Sequence, residues 1–344
     1  MPQNSKAILV TGGAGFIGSN YIKMLLETTD LTVVNLDKLT YAGDLRNLEF
    51  AESNPNYHFV EGDICDAALV DSLFTKYSFE WVVHFAAESH VDNSISNPDA
   101  FVQTNVVGTH RLLQVAYKHW MDAPNKFKSG YANARFLHVS TDEVYGTLGA
   151  EGLFTEQTPY APNSPYSASK AASDMLVRSY FHTYGFPAVT TNCSNNYGPH
   201  QHSEKLIPTI IRSAISGKNI PIYGDGQNIR DWLYVADHCS GVHRALENGR
   251  LGETYNIGGK NERNNLYIAN YICELLDQKV PREDGQSYKS QISFVTDRPG
   301  HDFRYAIDAS KITTELGWQA QEHFESGMDK TLNWYLNNRN RLEA

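Results

Sequence analysis

A glycine-rich segment near the start of the chain constrains the fold more than any other feature. The apolar run Ala7–Thr11 leads into Thr-Gly-Gly-Ala-Gly-Phe-Ile-Gly, residues 11–18, and a helical pattern follows from Ser19. Glycines at this spacing let a chain turn tightly from a strand into a helix and let another group approach the backbone closely. Asp37 ends the next apolar run, about twenty residues beyond the motif. The segment therefore predicts the first βαβ unit of a parallel sheet.

Short apolar runs alternate with helical patterns through the first half of the chain, as is typical of a parallel sheet covered by helices on both faces. The predicted strands are Ala7–Thr11, Thr32–Asp37, His58–Glu61, Trp81–Ala86, Phe136–Thr141 and Ala188–Asn192. The predicted helices are Ser19–Glu27, Ala67–Lys76, Asp99–His119 and Pro165–Tyr184. The polar segment Lys118–Ala134 is predicted as a surface excursion. The fold class is therefore α/β, a Rossmann-type doubly wound parallel sheet with a smaller C-terminal lobe.

The alternation becomes irregular after residue 195. The elements predicted there are a helix at Ser203–Ser216, a strand at Ile220–Tyr223, a helix with its preceding turn at Trp232–Asn248, and a strand at Glu253–Ile257. We expect residues 1–195 to form the first domain, with roughly 230–258 returning to it. Residues 196–344 are predicted as a second lobe that binds the substrate, and the part after Ile257 is predicted to be rich in loops.

Composition limits the possible classes of function. A formal net charge of −10 argues against general binding to nucleic acid or to a membrane surface. No apolar stretch is long enough to span a bilayer, and the first residues contain no signal-peptide segment, so we expect a cytoplasmic protein. The 4 cysteines are far apart and are predicted to be reduced. The 13 histidines show no metal-ligand spacing, so no metal is predicted.

The glycine motif also predicts a dinucleotide site. Backbone N–H groups and the N-terminus of the following helix can hold a pyrophosphate. The carboxylate of Asp37 can accept hydrogen bonds from the ribose hydroxyls and would repel the 2′-phosphate of NADP, so the predicted cofactor is NAD. Lys38 weakens that discrimination slightly. A glycine-rich turn with a coincidental acid is the alternative.

The ends of the third and fourth strands are expected at the adenosine half of the same site. Asp63 and Ile64 follow the third strand, and Ala86 and Ala87 end the fourth. For Asp63, an N-cap of the helix Ala67–Lys76 is the alternative.

Two further pairs of residues carry chemistry. Tyr166 and Lys170 are four apart on a predicted helix, and a nearby ammonium favours a phenolate that can act as a general base. Asp142 and Glu143 follow the strand Phe136–Thr141, where side chains point into the crevice of such a sheet. The alternative for this acid pair is that it caps the next helix or forms an ion pair.

Together these features resemble the extended short-chain dehydrogenase/reductase family over essentially the whole chain. Within it the chain resembles the nucleotide-sugar 4,6-dehydratases that act on dTDP-glucose. The segments that carry this closer resemblance are Asp-Lys-Leu-Thr-Tyr-Ala-Gly at 37–43, His-Phe-Ala-Ala-Glu-Ser-His-Val-Asp at 84–92, Thr-Asp-Glu at 141–143, Tyr-Ser-Ala-Ser-Lys at 166–170 and Asn-Asn-Tyr-Gly-Pro at 195–199.

The resemblance implies a dehydration that begins with oxidation at C4 of glucose and ends with hydride return to C6. It assigns Tyr166 and Lys170 to hydride chemistry with Thr141 beside them. It gives the C5 proton to Glu143 and makes Asp142 the acid for the C6 hydroxyl. The residues alone do not say which acid has which role.

The resemblance also implies the residues that bind each ligand. Those expected at NAD are Gly12, Gly15, Phe16, Ile17, Gly18, Asp37, Lys38, Thr40, Asp63, Ile64, Ala86, Ala87, Thr104, Tyr166, Lys170 and Asn196. Those expected at the nucleotide sugar are Ser89, Thr141, Asn195, Lys205, Leu206, Pro208, Pro221, Tyr223, Arg230, Asn265, Arg298 and His301. Arg230 and Arg298 are the predicted partners of the substrate pyrophosphate.

Several alternatives stay open at this point. A surface ion pair with Asp231 is the alternative for Arg230, and simple packing is the alternative for Tyr223. The resemblance implies a homodimer in which the helices Asp99–His119 and Pro165–Tyr184 pair with their copies. Other possible functions are the same dehydration on UDP-glucose, a nucleotide-sugar 4-epimerase or decarboxylase, and an NAD-sensing protein without chemistry.

Overall fold

The computed structural model describes residues 6–297 and 300–342. In chain order its strands are β1 (Ala7–Thr11), β2 (Thr32–Asp37), β3 (Tyr57–Glu61), β4 (Trp81–His84), β5 (Met121–Ala123), β6 (Lys126–Phe127), β7 (Arg135–Thr141), β8 (Ala188–Cys193), β9 (Asn195–Tyr197), β10 (Ile220–Tyr223), β11 (Ile229–Tyr234), β12 (Thr254–Ile257), β13 (Glu262–Asn264) and β14 (Ile292–Val295).

The α-helices are α1 (Phe16–Thr28), α2 (Ala67–Tyr77), α3 (Val91–Ser96), α4 (Pro98–Phe101), α5 (Thr109–Trp120), α6 (Pro165–Tyr184), α7 (Leu206–Ile215), α8 (Val235–Asn248), α9 (Asn265–Lys279), α10 (Ser310–Leu316) and α11 (Phe324–Asn337). Short 3₁₀ segments lie at Leu45–Ala51, Asp142–Tyr145, Tyr288–Gln291 and Arg339–Arg341. A π-helical segment, Val102–Gly108, joins α4 to α5. None of the helices in the described part of the chain has both the length and the apolar content to cross a bilayer.

The main sheet has seven strands in the order β12-β8-β7-β4-β1-β2-β3, and each pair of neighbours is parallel. From β1 the chain first builds outward through β2 and β3, then crosses to β4 on the other side. A reversal of this kind leaves a crevice at the carboxyl ends of the strands, where doubly wound sheets bind ligands. The strand order confirms the predicted fold class.

Helices bury both faces of this sheet, which explains the nearly continuous apolar strands. Ile8 and Val10 pack on one face with α1 and α8, whereas Leu9 packs on the other with α2, α5 and α6. The second half of the chain has its own core around α7, α9 and α11, where Ile210 and Ile272 are fully buried. The part after Ile257 contains α9, α10 and α11 and is therefore more helical than predicted. The domain bounds 1–195 and 196–344 stay a prediction.

Two sequence-based expectations are wrong in detail. Trp232–Tyr234 belongs to β11, which pairs with β9, and the helix starts only at Val235. Cross-strand pairing and burial of Trp232 override the helical pattern that continues into this segment. The excursion Lys118–Ala134 is only partly at the surface, because Trp120 is fully buried and its indole N–H donates to the carbonyl of Phe79 at 2.8 Å.

The final 3₁₀ segment reaches back to the start of the sheet. The Arg341 guanidinium contacts the side chain of Asn47 at 3.3 Å and that of Asp44 at 3.5 Å. The Asn47 amide in turn donates to the carbonyl of Ala14, inside the glycine-rich turn, at 2.9 Å. A side chain near the end of the described chain thus supports the turn at its beginning.

Candidate active site

A cavity of about 310 Å³ runs along the carboxyl ends of the central strands. Every residue predicted to bind the cofactor and every residue predicted to be catalytic lines this cavity. Ser89, Asn195 and Lys205 of the predicted substrate set line it as well. The structure thus brings together motifs that are spread over most of the sequence, while the role of each residue stays a prediction.

The glycine turn leaves its backbone open to the cavity. A Cβ atom on Gly12, whose φ is +73°, would lie 2.6 Å from the Ala86 nitrogen, and one on Gly18 would lie 2.3 Å from the Gly12 carbonyl oxygen. Gly15 is the N-cap of α1 and no side chain caps the helix there. The first N–H groups of α1 therefore face the cavity with the positive end of the helix dipole, an arrangement that fits the pyrophosphate of NAD.

Asp37 supports the same turn. Its Oδ2 accepts from the Ala14 N–H and its Oδ1 from the Leu39 N–H, both at 2.8 Å. Burial raises the pKa of this carboxyl, and the two backbone donors partly oppose that rise. Each oxygen retains a lone pair for a ribose hydroxyl. Asp37 can therefore hold the turn and discriminate the cofactor at once.

Lys38 and Asp63 form an ion pair at 2.7 Å on the cavity wall. The N-cap of α2 is Asp66, whose Oδ1 accepts from the N–H groups of Ala68 and Leu69 at 3.0 Å. The N-cap alternative for Asp63 is therefore wrong. The pairing also partly neutralises Lys38, so this lysine is less available to a 2′-phosphate than the sequence suggested.

The π-helical segment Val102–Gly108 contains two adjacent residues, Thr104 and Asn105, that make different contacts. Thr104 lines the cavity. The buried Asn105 amide accepts from the Glu88 N–H at 2.9 Å and donates to the Glu88 carbonyl at 3.0 Å and to Ser169 Oγ at 2.8 Å. Asn105 thus ties the loop after β4 to α6. π-helical segments within α-helices are frequent at functional sites.

Tyr166 and Lys170 are both buried on α6. Lys170 Nζ donates to the carbonyl of Val139 at 2.9 Å. Burial raises the pKa of Tyr166 well above its usual value, Glu143 raises it further, and a hydrogen bond with Thr141 partly opposes them. The expected lowering of this pKa by Lys170 is therefore outweighed, because desolvation of the phenolate is the larger effect.

The acid pair at the end of β7 is held in place by Thr141. Its hydroxyl accepts from the Glu143 N–H at 3.3 Å and makes a long hydrogen bond to Asp142 Oδ1 at 3.4 Å. Asp142 is 1% exposed, and its Oδ2 has no hydrogen-bond partner among the described residues. Burial raises the pKa of Asp142 well above its usual value, and the charge of Glu143 adds to this. Thr141 caps the following 3₁₀ segment, so the capping alternative for the acids is wrong.

Other predicted substrate residues lie outside the cavity wall, on the second lobe. Leu206 and Pro208 begin α7, Pro221 and Tyr223 lie in β10, Asn265 begins α9, and His301 contacts Asp297 at 2.7 Å. The prediction for Arg298 falls outside the described residues.

Arg230 is placed differently from what its neighbour in sequence suggested. It is only 6% exposed, its guanidinium stacks 4.2 Å from the Tyr305 ring, and it donates to the carbonyl of Asp302 at 2.9 Å. The surface ion pair with Asp231 is therefore wrong. Its charge opposes the rise in the pKa of Asp142, which places it near the acid pair.

Several cavity residues were not predicted. The wall also contains Tyr41, Glu88, Gln201, His202 and Glu204. Tyr41 and Glu88 lie inside segments that carried the resemblance, so those segments could have supplied them. Gln201 and His202 lie in a loop where His200 has a φ of +70°. No periodic pattern marks such a loop, and only the folded chain shows that it borders the site.

Comparisons with known proteins agree with this geometry. The chain matches the family model described as GDP-mannose 4,6 dehydratase over residues 9–331. A dTDP-glucose 4,6-dehydratase of Xanthomonas campestris pv. campestris (strain B100) is 57% identical over 98% of this chain and 95% of its own.

Two solved structures are similar over nearly the full length. The dTDP-glucose 4,6-dehydratase of Bacillus anthracis str. Ames in complex with NAD has a TM-score of 0.86 and 44% identity, covering 98% of each chain. A UDP-glucose 4-epimerase from Thermotoga maritima has a TM-score of 0.84 and 26% identity, covering 97% of this chain and 99% of its own. From the identity and the coverage, this chain belongs to the dTDP-glucose 4,6-dehydratase family.

Proposed function

We propose that this chain catalyses the NAD-dependent loss of water from dTDP-glucose to give dTDP-4-keto-6-deoxyglucose. The observation that carries the proposal is the acid pair at the end of β7. A fully buried carboxyl, Asp142, adjoins a half-buried one, Glu143, and both lie on the cavity wall with Tyr166. Two neighbouring carboxyls in different environments provide an acid and a base at the same pH.

Each protein group then has a defined proton to move. Bound NAD supplies the carrier for the hydride that leaves C4 and returns to C6. Tyr166 accepts the proton of the C4 hydroxyl, and the ketone formed at C4 acidifies the C5 hydrogen, which Glu143 removes. Asp142 protonates the C6 hydroxyl so that it leaves as water, and Glu143 returns its proton to C5.

After these steps Tyr166 holds one more proton than at the start, and Asp142 holds one fewer. The Thr141 hydroxyl hydrogen-bonds to both residues. It therefore lies where a proton can pass from Tyr166 back to Asp142 and restore the starting state.

The alternatives make different demands on the site. A 4-epimerase uses the same fold and the Tyr/Lys pair but needs no acid for a C6 hydroxyl, so it has no use for a neutral Asp142. The family relatives favour dTDP-glucose over UDP-glucose, since the curated relative at 57% identity is named for dTDP-glucose. Only the thymine methyl and the sugar 2′-hydroxyl separate these two substrates.

A product assay with isotope decides between the activities. Purified protein is incubated with dTDP-glucose that carries deuterium at C4, and the sugar product is analysed by NMR and mass spectrometry. Deuterium at C6 of a 4-keto-6-deoxy product supports the dehydratase. Deuterium that stays at C4 overturns it. A parallel incubation with UDP-glucose shows which of the two substrates is converted faster.

We also propose that the enzyme is a cytoplasmic homodimer. Val102 and Met175 lie on the two helical segments expected to pair, and they are 52% and 49% exposed. Exposed apolar side chains on adjacent helices fit a contact with a second copy. The cysteines are free thiols, as suits a reducing compartment. Light scattering at micromolar concentration tests the assembly, and a monomer mass would contradict it.

A further inference from the structure

A buried carboxylate lies behind the hydride pair, one helical turn from Lys170. Tyr166, Lys170 and Asp174 are spaced by four residues on α6, so they share one face of the helix, with neighbouring Cβ atoms about 5–6 Å apart. All three are buried. The proposed function uses Tyr166 and Lys170 and leaves Asp174 without a role.

Asp174 is attached to the strand that carries the acid pair. Its Oδ1 lies 3.0 Å from His138 Nε2, and its Oδ2 accepts from Ser140 Oγ at 2.8 Å and from Tyr160 OH at 3.0 Å. The carbonyl of Val139, between His138 and Ser140, accepts from Lys170 Nζ. Three consecutive residues of β7 thus hold Lys170 and Asp174 of α6, and they fix the register between the helix with Tyr166 and the strand end with Thr141.

The three donors to Asp174 are neutral groups. Burial and the charge of Lys170 lower the pKa of His138 well below its usual value, so its imidazole is uncharged at neutral pH and donates through Nε2. Burial raises the pKa of Asp174 to about 6, while Lys170, Ser140 and Tyr160 oppose that rise. Asp174 is therefore mostly ionised at pH 7, and the positive charge that balances it is on Lys170.

Lys170 needs such a partner. Burial lowers its pKa, and the charge of Asp174 is the largest effect that opposes this. A buried ammonium without an anion nearby loses its proton readily. The titratable groups packed around this pair include His84, His138, Tyr145, Tyr160, Tyr166 and Cys193. Each of these six groups is neutral at pH 7 by the direction of its shift in the protein without cofactor. The positive nicotinamide ring of bound NAD, together with Lys170, would favour the Tyr166 phenolate that the reaction needs. The charged residues Glu156, Arg178, Glu253 and Lys311 line a second cavity together with Asp174.

We propose that Asp174 is a positioning residue that holds Lys170 protonated and fixes it against β7, so that Lys170 can stabilise the Tyr166 phenolate. The assignment rests on the proposed function for its catalytic meaning, while the charge relationship between Asp174 and Lys170 stands on the geometry alone. Asp174 does not line the active-site cavity, whereas its neighbours Ser140 and Lys170 do.

The first test measures Lys170 without substrate or turnover. The purified protein is labelled with trace acetic anhydride across a pH series, and acetylation of Lys170 is followed by mass spectrometry. Asp174→Asn keeps the shape and an acceptor oxygen for Ser140 and Tyr160 but removes the charge. Its Lys170 labelling midpoint should fall by at least one pH unit. Ser173→Ala is the matched control, because Ser173 is buried beside Asp174 and its hydroxyl lies 3.3 Å from His138 without carrying charge. Its midpoint should stay at the wild-type value.

The second test measures the pH profile of product formation from dTDP-glucose. Activity should fall at high pH as Lys170 loses its proton. This fall should occur at lower pH in Asp174→Asn and at the wild-type pH in Ser173→Ala. An activity loss in Asp174→Asn that is equal at every pH, with an unchanged labelling midpoint, would overturn the proposal. If Asp174→Asn does not fold, the wild type still decides, because a labelling midpoint of Lys170 below pH 7 would also overturn it. If the labelling midpoint of Lys170 shifts in Asp174→Asn but the wild type forms no product from dTDP-glucose, the proposed function is wrong and the charge relationship between Asp174 and Lys170 stands.

Discussion

Asp142 and Glu143 are adjacent in the chain, yet only Asp142 is sealed from solvent at 1% exposure. Both residues line the cavity at the start of a 3₁₀ turn, but Glu143 is only half-buried. The charge of Glu143 helps to keep the proton on Asp142. The pair therefore acts as a unit, in which the base makes its neighbour an acid.

Replacement of Asp142 should separate oxidation from elimination. Asp142→Asn keeps size and polarity but has no acidic proton for the C6 hydroxyl, so product formation should fall by about 10²–10⁴. Tyr166 and Lys170 remain, so reduced cofactor should accumulate on the protein after substrate is added. Absorbance of the reduced nicotinamide and product are recorded together. Product at nearly the wild-type rate would show that Asp142 is not the acid.

Glu143→Gln should give the same uncoupling for the opposite reason. The amide cannot accept the C5 proton, so the reaction should stop at the 4-ketone with the cofactor reduced. Solvent deuterium distinguishes the two variants, because exchange at C5 requires the base. Exchange should continue in Asp142→Asn and should be absent in Glu143→Gln. Exchange in both would assign the base to another residue.

The raised pKa of Asp142 should also appear in the stability of the protein. The folded chain holds a proton that the unfolded chain loses above about pH 4. Stability from this group is therefore complete at low pH and declines by about 1.4 kcal/mol per pH unit as the pH rises toward the folded pKa. Asp142→Asn should unfold at a higher temperature than the wild type at pH 7, and the difference should shrink toward pH 4. A difference in melting temperature that does not vary with pH would contradict a buried neutral Asp142.

Tyr166→Phe tests the first proton transfer. The ring is kept, so packing on α6 is preserved, but the group that takes the C4 hydroxyl proton is lost. Formation of reduced cofactor should slow by about 10²–10⁴. Rapid mixing with substrate measures that step directly. Tyr180→Phe, on the same helix but away from the cavity wall, controls for loss of a partly buried phenol. Normal cofactor reduction in Tyr166→Phe would place the base elsewhere.

Cofactor preference should depend on the charge of Asp37. The wild-type protein should release NAD on denaturation and should bind NADP poorly when both are titrated into the cofactor-free form. Asp37→Asn removes the charge that repels a 2′-phosphate, so the difference in affinity between NAD and NADP should become smaller. Asp66→Asn, at the exposed N-cap of α2, should leave it unchanged. A wild type that prefers NADP would refute the role of Asp37.

The sequence predicts well those features that depend on residues close together in the chain. The glycine turn, Asp37, Thr141 and Tyr166 all lie at strand ends or on one helix face, and a parallel sheet gathers strand ends at one edge. Asn105 and Asp174 leave no such trace, because the partners of the Asn105 side chain are 17 and 64 residues away and those of Asp174 are 14 to 36 residues away, and only the folded chain brings them together. The effect of Lys170 on Tyr166 was overestimated for a related reason. Spacing shows which charges are near, but the loss of solvent depends on everything packed around them.

Arg341 supports the glycine turn through Asn47, across 294 residues of sequence. During synthesis the first βαβ unit leaves the ribosome long before the residue that braces it exists. The nascent amino-terminal half can form its strands and helices early, but the loop beside the adenosine end of the cavity acquires its last support only when synthesis reaches the carboxyl-terminal segment. A variant cut before Arg341 should therefore hold its nucleotide less firmly than a protein that contains this residue.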